Sequence, residues 1–478
     1  MIATYRGHAR PREIVLSGPL RSLRPLREEP FSPGDSMHAL ATELFPICRS
    51  ITGAGLRSTL RRIQQEIPIT IHEVPSGTPV LDWTVPEEWN IREAWVANAS
   101  GERVIDFARN NLHVMNYSTP IRARKSLAEL RPHLHALPGH PEWIPYRTSY
   151  YKRQWGFCLA HHQLQQLEEG DYDICIDSTL APGSLSYGEL LIRGELEDEF
   201  LLSAHCCHPS LANDNLSGVV VAVALAQMLA NPQLSPLTQP LRHSYRFLFV
   251  PGTIGAITWL ARNENRLARI KAGLVLTCVG DRGPFTYKKS RRGDARIDLA
   301  MAQVLRESGV PHRVIDFFPY GYDERQYCSP GFNLPVGCFM RSQHGTFPEY
   351  HTSADDLRFI SPKALAESLE AILKVIDVFE RENDAPRLEH RITPLSNGPL
   401  ADERRFLNLK PKGEPHLAKY NIGTLSGADI MPALWVLNLS DGLHSLADIA
   451  AKSSLPFDKL AHAADILCTH GLLKEVEP

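Results

Sequence analysis

An α/β sandwich around a mixed or largely parallel central sheet is the architecture predicted for residues 145–385. Two observations predict it. β-prone runs ("YDICIDS", "ELLIRGE", "EFLLSAHC", "SYRFLFV", "GLVLTCVG" and "LPVGCFM") recur along this stretch. Segments of helical spacing, "NLSGVVVAVALAQMLA", "ARIDLAMAQVLRES" and "SPKALAESLEAILKVIDVFEREN", alternate with them, as in sheets whose strands are joined by crossing helices. The last segment opens with Ser361 and Pro362, an N-cap and first-turn pair.

The remaining regions follow in chain order. Residues 1–36 hold six Arg, no Lys and five Pro with little periodicity, and read as a poorly ordered extension. From 37 to 71, "MHALATELFPICRSITG" and "GLRSTLRRIQQEI" read as amphipathic helices. Residues 72–140 change character: "IREAWVANA" and "ERVIDF" are separated by turn-formers such as "SGTP" and "ASG", which predicts a small, mostly β domain inserted into the sandwich. The α/β domain is therefore assigned to 37–71 and 141–385. Residues 386–400 are turn-rich, and "SLADIAAKSSLPFDKLAHAADILCTHGLL" gives 401–478 the helical pattern of a winged-helix-like domain.

Composition excludes several classes. With 478 residues, 43% hydrophobic, 22% charged and a net charge of −3, the chain has no field to draw nucleic acid or an anionic membrane. No apolar run approaches the roughly 18 residues that span a bilayer, and "MIATYRGHARPREIVLSGPL" lacks the form of a secretion signal. Nine scattered cysteines fit a reducing cytoplasm rather than a disulfide framework. Residues 401–478 contain eight Lys/Arg against ten Asp/Glu, so a nucleic-acid role for this domain is disfavoured. The inserted and C-terminal domains are instead candidate surfaces for homo-oligomer contacts. Neither a G-x-S-x-G elbow nor a G-x-x-x-x-G-K phosphate loop occurs.

The chemistry concentrates in "HCCHPSLANDNLSG", residues 205–218. "EFLLSAHC" is a strand whose polar end arrives at His205, and a helix begins near Asn215. Ligands of open α/β sheets gather at the carboxyl ends of strands, so His205 and Asp214 stand where a site is expected. Imidazole and carboxylate suit Zn²⁺. The competing reading makes Asp214 and Asn215 a helix cap. Cys206 and Cys207 are adjacent rather than spaced C-x-x-C and read as core thiols. His208 could help hold a metal, but it is followed by Pro209 and reads rather as a packing or capping residue.

"NDNLSG" downstream of His205, with "EYHTSADDL" far beyond it, resembles the M28-type zinc aminopeptidase pattern of a strand-end His, D-N-x-S-G and H-T-x-x-D. The longer phrases "HPSLANDNLSG", "YDERQYCSPGFNLPVG", "EVPSGTPVLDWTVPEEWNI" and "IPYRTSYYKRQWGFC" resemble a bacterial aminopeptidase-like group, DUF4910/DUF2172, which carries an inserted β domain and a C-terminal winged helix. The resemblance runs from about residue 37 to the end. It implies that His205, Asp214 and His351 hold zinc, and that Asp355 supports the His351 loop.

The departures from the pattern are as informative. The M28 pattern places an E-E-x-G element after the strand matched here by "SYRFLFV", and the subfamily resemblance implies P-E-T-I-G. This chain has Gly252 where the general-base Glu is expected and Thr253 at the second Glu. A third carboxylate falls on Thr277. What remains, His205, Asp214 and His351, predicts one zinc per chain. Glu349, Asp323 and Glu324 are the candidates to replace the base, each also readable as a solvated loop carboxylate. The expected function is a zinc-dependent hydrolase of an amide or peptide bond in a peptide or small-molecule substrate. The alternative is a metal-binding protein that uses the same fold without turnover.

Overall fold

The structure, a computed structural model, describes residues 32–237, 240–381, 404–420, 422 and 430–476. Its centre is an eight-stranded mixed sheet of β1 (Thr70–Pro75), β2 (Ser184–Ile192), β3 (Glu199–His205), β4 (Ser244–Val250), β5 (Ile270–Leu276), β6 (Phe285–Lys288), β7 (His312–Ile315) and β8 (Val336–Met340). The spatial order is β1-β2-β4-β3-β5-β8-β6-β7. Strands β4, β3, β5 and β8 run parallel, while β2 and β6 pair antiparallel with β4 and β8.

Every residue of β3 and β4 is buried, as expected of strands covered on both faces. Phe200, Leu202 and Ala204 enter one apolar cluster, and Leu201 enters the other. The first cluster packs beneath helices α1 (Pro33–Leu44), α2 (Ala54–Glu66), α3 (Gly218–Ala230), α5 (Arg296–Glu307) and α6 (Pro362–Arg381). The second lies under α4 (Ile254–Arg262), together with Trp89 and Tyr117 from the inserted domain. Residues 212–230, the one described segment long and apolar enough to cross a membrane, are largely buried within this sandwich.

Three expected boundaries move. The Ser32 hydroxyl accepts the Asp35 backbone N–H at 3.2 Å and caps α1, so the helix starts before the expected limit at 36. Residues 1–31 and the turn-rich 386–400 lie outside the described residues. β1 belongs to the central sheet, paired from Thr70 opposite Glu189 to Pro75 opposite Ser184, so the insertion lies between β1 and β2 rather than over 72–140. "YDICIDS", expected in the sandwich, instead forms the strand Asp171–Ala181 of the inserted four-stranded sheet, between Glu88–Ala97 and Ile121–Ser126. Its Tyr172, Ile174 and Ile176 fill that domain's own core with Val96 and Ile105. Alternating apolar residues satisfy either sheet equally, and only the partner strands decide.

In the C-terminal unit, helices Ile430–Leu439, Leu446–Ser453 and Phe457–Thr469 pack with a three-stranded sheet whose central strand is Arg405–Asn408. A segment leading into it is tied to the insertion. Trp83 stacks on His416 at 4.1 Å, and the Asp82 carboxylate accepts the His416 N–H at 3.0 Å and the Tyr420 hydroxyl at 2.7 Å.

Candidate metal centre

The carboxyl ends of the parallel strands converge on one buried cluster. β3 ends at His205, whose Nε2 lies 2.9 Å from Asp214 Oδ1. Asp214 precedes α3 in a segment with non-helical backbone angles at Asp214 and Asn215, and both residues are buried. Asn215 binds the Leu276 carbonyl at 2.9 Å and lies 3.3 Å from His205 Nδ1, so it ties β5, β3 and the start of α3 together. The Gly218 N–H at the start of α3 donates to Asn215 Oδ1 at 3.2 Å, so of the two residues read as a cap it is Asn215 that caps, while the Asp214 carboxylate faces His205.

Two further histidines close on the same carboxylate. His351 Nε2 stands 2.9 Å and His208 Nε2 3.9 Å from Asp214 Oδ2. Ligand atoms of His205, His208 and Asp214 all lie within 4.8 Å of one another, the only such metal-competent group among the described residues. This corrects the reading of His208 as a packing residue. The chain turns after Pro209 so that the His208 imidazole faces His205 and His351, with ring centres 4.9 and 5.3 Å away. The Arg49 guanidinium donates to the His208 carbonyl at 2.8 Å and holds that turn. His351 stands on the open side of the group, its side chain 34% exposed, and is not part of the tight three-residue set.

Asp214 Oδ2 and His351 Nε2 have no hydrogen-bond partner despite their proximity. A buried carboxylate oxygen and a facing imidazole nitrogen left this way fit a cation held between them. Burial alone would raise the Asp214 carboxyl, but His208, His205 and His351 more than reverse it, and it stays ionised. Burial drives the His208 imidazole well below its ordinary value, leaving it neutral as a metal ligand requires.

The surrounding residues orient these groups. The Asp355 carboxylate accepts the backbone N–H groups of Asn213 at 2.6 Å and Asp214 at 2.9 Å, so it aims the Asp214 segment more directly than the His351 loop. Burial pushes the Asp355 carboxyl up to about 8. The inserted domain holds His351 in place. Its Tyr146 N–H donates to the His351 carbonyl at 2.7 Å, and Ile144 is bonded to Ser353. Tyr146 and Tyr322 also wall the site, Tyr146 edge-on to His351 and Tyr322 stacked 4.3 Å from His205.

The three candidate bases separate. Glu349 is half-buried, and its carboxylate makes no hydrogen bond or ion pair with the cluster. Glu324 is fully buried but committed, binding Lys288 Nζ at 2.8 Å and the Tyr322 N–H at 3.1 Å. Lys288 and His344 overcome the effect of burial and hold it ionised. Its reading as a solvated carboxylate is corrected: it is an anchor for the 321–324 turn. Asp323 is also fully buried, and neither of its oxygens has a partner. Burial pushes its carboxyl up to about 7. His344 was missed at the sequence level. It lies 5.1 Å from the Tyr322 ring, and burial holds it down at about 4. Gly252 does not have a left-handed backbone. Thr277, where the pattern expects a carboxylate, is buried and bonded to Cys278 Sγ.

Comparison with known proteins places the fold. Residues 38–382 match the family described as a domain of unknown function, DUF4910, and 404–475 match a winged helix-turn-helix family. A Clostridium acetobutylicum protein, provisionally named a polysaccharide biosynthesis protein with aminopeptidase-like domain, is 49% identical over 93% of this chain and 97% of its own length. A crystal structure from the same organism, provisionally described as a peptidase, superposes with a TM-score of 0.70 at 49% identity over 93% of this chain and 96% of its own. The zinc aminopeptidase of Bacillus subtilis superposes with a TM-score of 0.53 at 12% identity, covering 76% of this chain and 98% of its own. A Shewanella amazonensis peptidase M28 precursor gives 0.51 at 14% identity, over 74% of this chain and 93% of its own. The chain belongs to the DUF4910 family, with an M28 aminopeptidase-like fold and a C-terminal winged helix.

Proposed function

We propose that this protein is a metal-dependent hydrolase of an amide or peptide bond, with one zinc ion per chain. The observation that carries the reading is the convergence of His205, His208 and His351 on the buried Asp214 carboxylate. His205, His208 and Asp214 would hold the ion, and His351 would complete the set from the open side. Zinc bound there polarises a carbonyl and makes water more acidic.

The chain's own residues supply the rest. Asn215 and Asp355 fix the donor atoms before substrate arrives, so little reorganisation accompanies binding. Tyr146 and Tyr322 keep their protons because burial raises both phenols well above their ordinary value, and they act only as neutral walls and donors. Substrate would reach the site past His351, where the side chain is exposed. The inserted Ile144–Tyr146 segment borders that approach, which favours a small molecule or a chain end over the middle of a polypeptide. The polysaccharide-biosynthesis name of the Clostridium acetobutylicum relative supports an amide or N-acyl group on a biosynthetic intermediate. Nine free cysteines support a reducing compartment.

Elemental analysis of the purified protein, combined with a panel of aminopeptidase, amidase and N-deacylase substrates, tests the reading. One zinc and turnover on any class, lost in His205→Ala, is the expected result. A zinc-loaded chain inert on the whole panel would support the metal-dependent binding protein instead.

A further inference from the structure

We propose that Asp323 is the carboxylate that exchanges protons with substrate at this centre. The inference rests on the hydrolase reading and deepens it. Asp323 is fully buried, and neither oxygen of its carboxylate has a hydrogen-bond partner. It stands at the N-terminal boundary of the short helix Glu324–Tyr327, but it does not cap that helix. Its neighbour Arg325 is bound to Glu414 at 2.7 Å and makes no ion pair with it. A carboxylate left so bare is costly to bury and calls for a use.

Gly252 makes room for it. A Cβ at position 252 would stand 3.6 Å from Asp323 Oδ1 and 3.2 Å from the His205 Cβ. The carboxylate therefore borders the glycine backbone beside the first metal-site histidine. Adjacent Tyr322 stacks on the His205 ring, so one short turn brings both a wall and a carboxylate to the same ligand. Glu324 is instead bound to Lys288, and that ion pair anchors the turn. Two neighbouring acids thus divide the work. Glu324 is held by a cation, and Asp323 is left free to accept a proton.

In the reaction, Asp323 takes one proton from water as the water oxygen bonds to the carbonyl carbon. The carbon–nitrogen bond then breaks as that proton passes to the leaving nitrogen. Amine and carboxylic acid depart, and Asp323 is again a carboxylate. No oxidant or further reactant is needed.

The test compares zinc-loaded wild type with Asp323→Asn and Asp323→Glu in the full chain. Asp323→Asn should keep its zinc and melt at or above the wild-type temperature, because it removes an unpartnered buried charge. Its kcat should fall about 10²-fold or more with little change in KM. Acetohydroxamate, which must give up a proton to bind as an anion, should bind about tenfold or more weakly. Asp323→Glu should recover part of both losses. Unchanged kcat and hydroxamate affinity in Asp323→Asn overturn the proposal, and loss of zinc overturns it in favour of a ligand role. A wild type without turnover removes the hydrolase reading, while the hydroxamate comparison still decides Asp323. A wild type that binds neither zinc nor hydroxamate overturns both.

Discussion

His351 Nε2 stands 2.9 Å from Asp214 Oδ2, and neither atom has a hydrogen-bond partner. The two residues are far apart in the chain, and the inserted domain helps hold the His351 loop against Asp214 through Tyr146. The donors should therefore be unequal. His205→Ala or His208→Ala breaks the tight group with Asp214 and should yield protein without retained zinc. His351→Ala leaves that group intact and should weaken zinc binding without abolishing it. Cys206→Ser should retain the metal, because Cys206 lies in the apolar core on the far face of β3. Zinc content after dialysis against a chelator measures all four. Equal loss in all of them would refute the hierarchy.

Asp355 supplies the next expectation. It touches no donor atom of the cluster, yet it accepts the backbone N–H of both Asn213 and Asp214. Asparagine offers one acceptor oxygen and an amide that repels the second N–H. Asp355→Asn should lower zinc affinity by roughly 10–100-fold while the fold survives. Competition with a chromogenic chelator reads the change, and an affinity equal to wild type would assign Asp355 to loop packing alone.

How much of this was legible in the sequence differs from residue to residue. His205 and Asp214 are nine positions apart at a strand end and a helix start, so local pattern sufficed to pair them. His208 ranked below the other ligands because Pro209 follows it. Only the closed turn, held by Arg49 from a distant segment, shows where its ring points. Asp323 and Glu324 are adjacent acids with the same local signal. Their roles diverge because Lys288, on another strand, reaches one and not the other. Asp171–Ala181 had the right period and the wrong sheet, since alternation encodes a covered face but not the identity of its partners. The α/β sandwich and the C-terminal helices depended on period and length alone, and these the chain displays openly.

The junction between the insertion and α2 gives a pH-dependent expectation. Arg57 binds both oxygens of Glu88, at 2.9 and 2.5 Å, and the Ser184 N–H adds a third bond at 3.1 Å. The Arg57 hydrogen bonds outweigh burial and lower the Glu88 carboxyl to about 2. A carboxyl lowered on folding stabilises the protein above its unfolded value, and that contribution disappears as pH falls through the folded value. With solvent screening at this partly covered pair, Glu88→Gln should cost about 1–2 kcal/mol near neutrality. The gap in denaturation midpoint between wild type and variant should narrow from about pH 5 to about pH 3. A gap that stays constant over that interval would show that charge at Glu88 contributes nothing.

Gly252 poses the last question. The sequence comparison suggests that restoring a glutamate at this position would return a missing base and raise activity. The structure predicts otherwise. Position 252 does not have a positive φ, so a side chain is not barred on that ground. Its Cβ, however, would press on His205 at 3.2 Å and approach Asp323 Oδ1 at 3.6 Å. The rest of a glutamate would then share buried space with an unpartnered carboxylate, and like charges so placed disfavour each other. Gly252→Glu alone should therefore fail to raise kcat, and displacement of His205 should weaken zinc retention. Removing the competing acid changes the balance. In Asp323→Ala the space is open, and adding Gly252→Glu to that background should recover part of the lost turnover. The four proteins, wild type, the two single variants and the double variant, form a closed cycle whose coupling is read from kcat. Strongly positive coupling places both carboxylates in one role. Independent effects would separate Gly252 from Asp323 and return Glu349 as the remaining base, to be tested by Glu349→Gln.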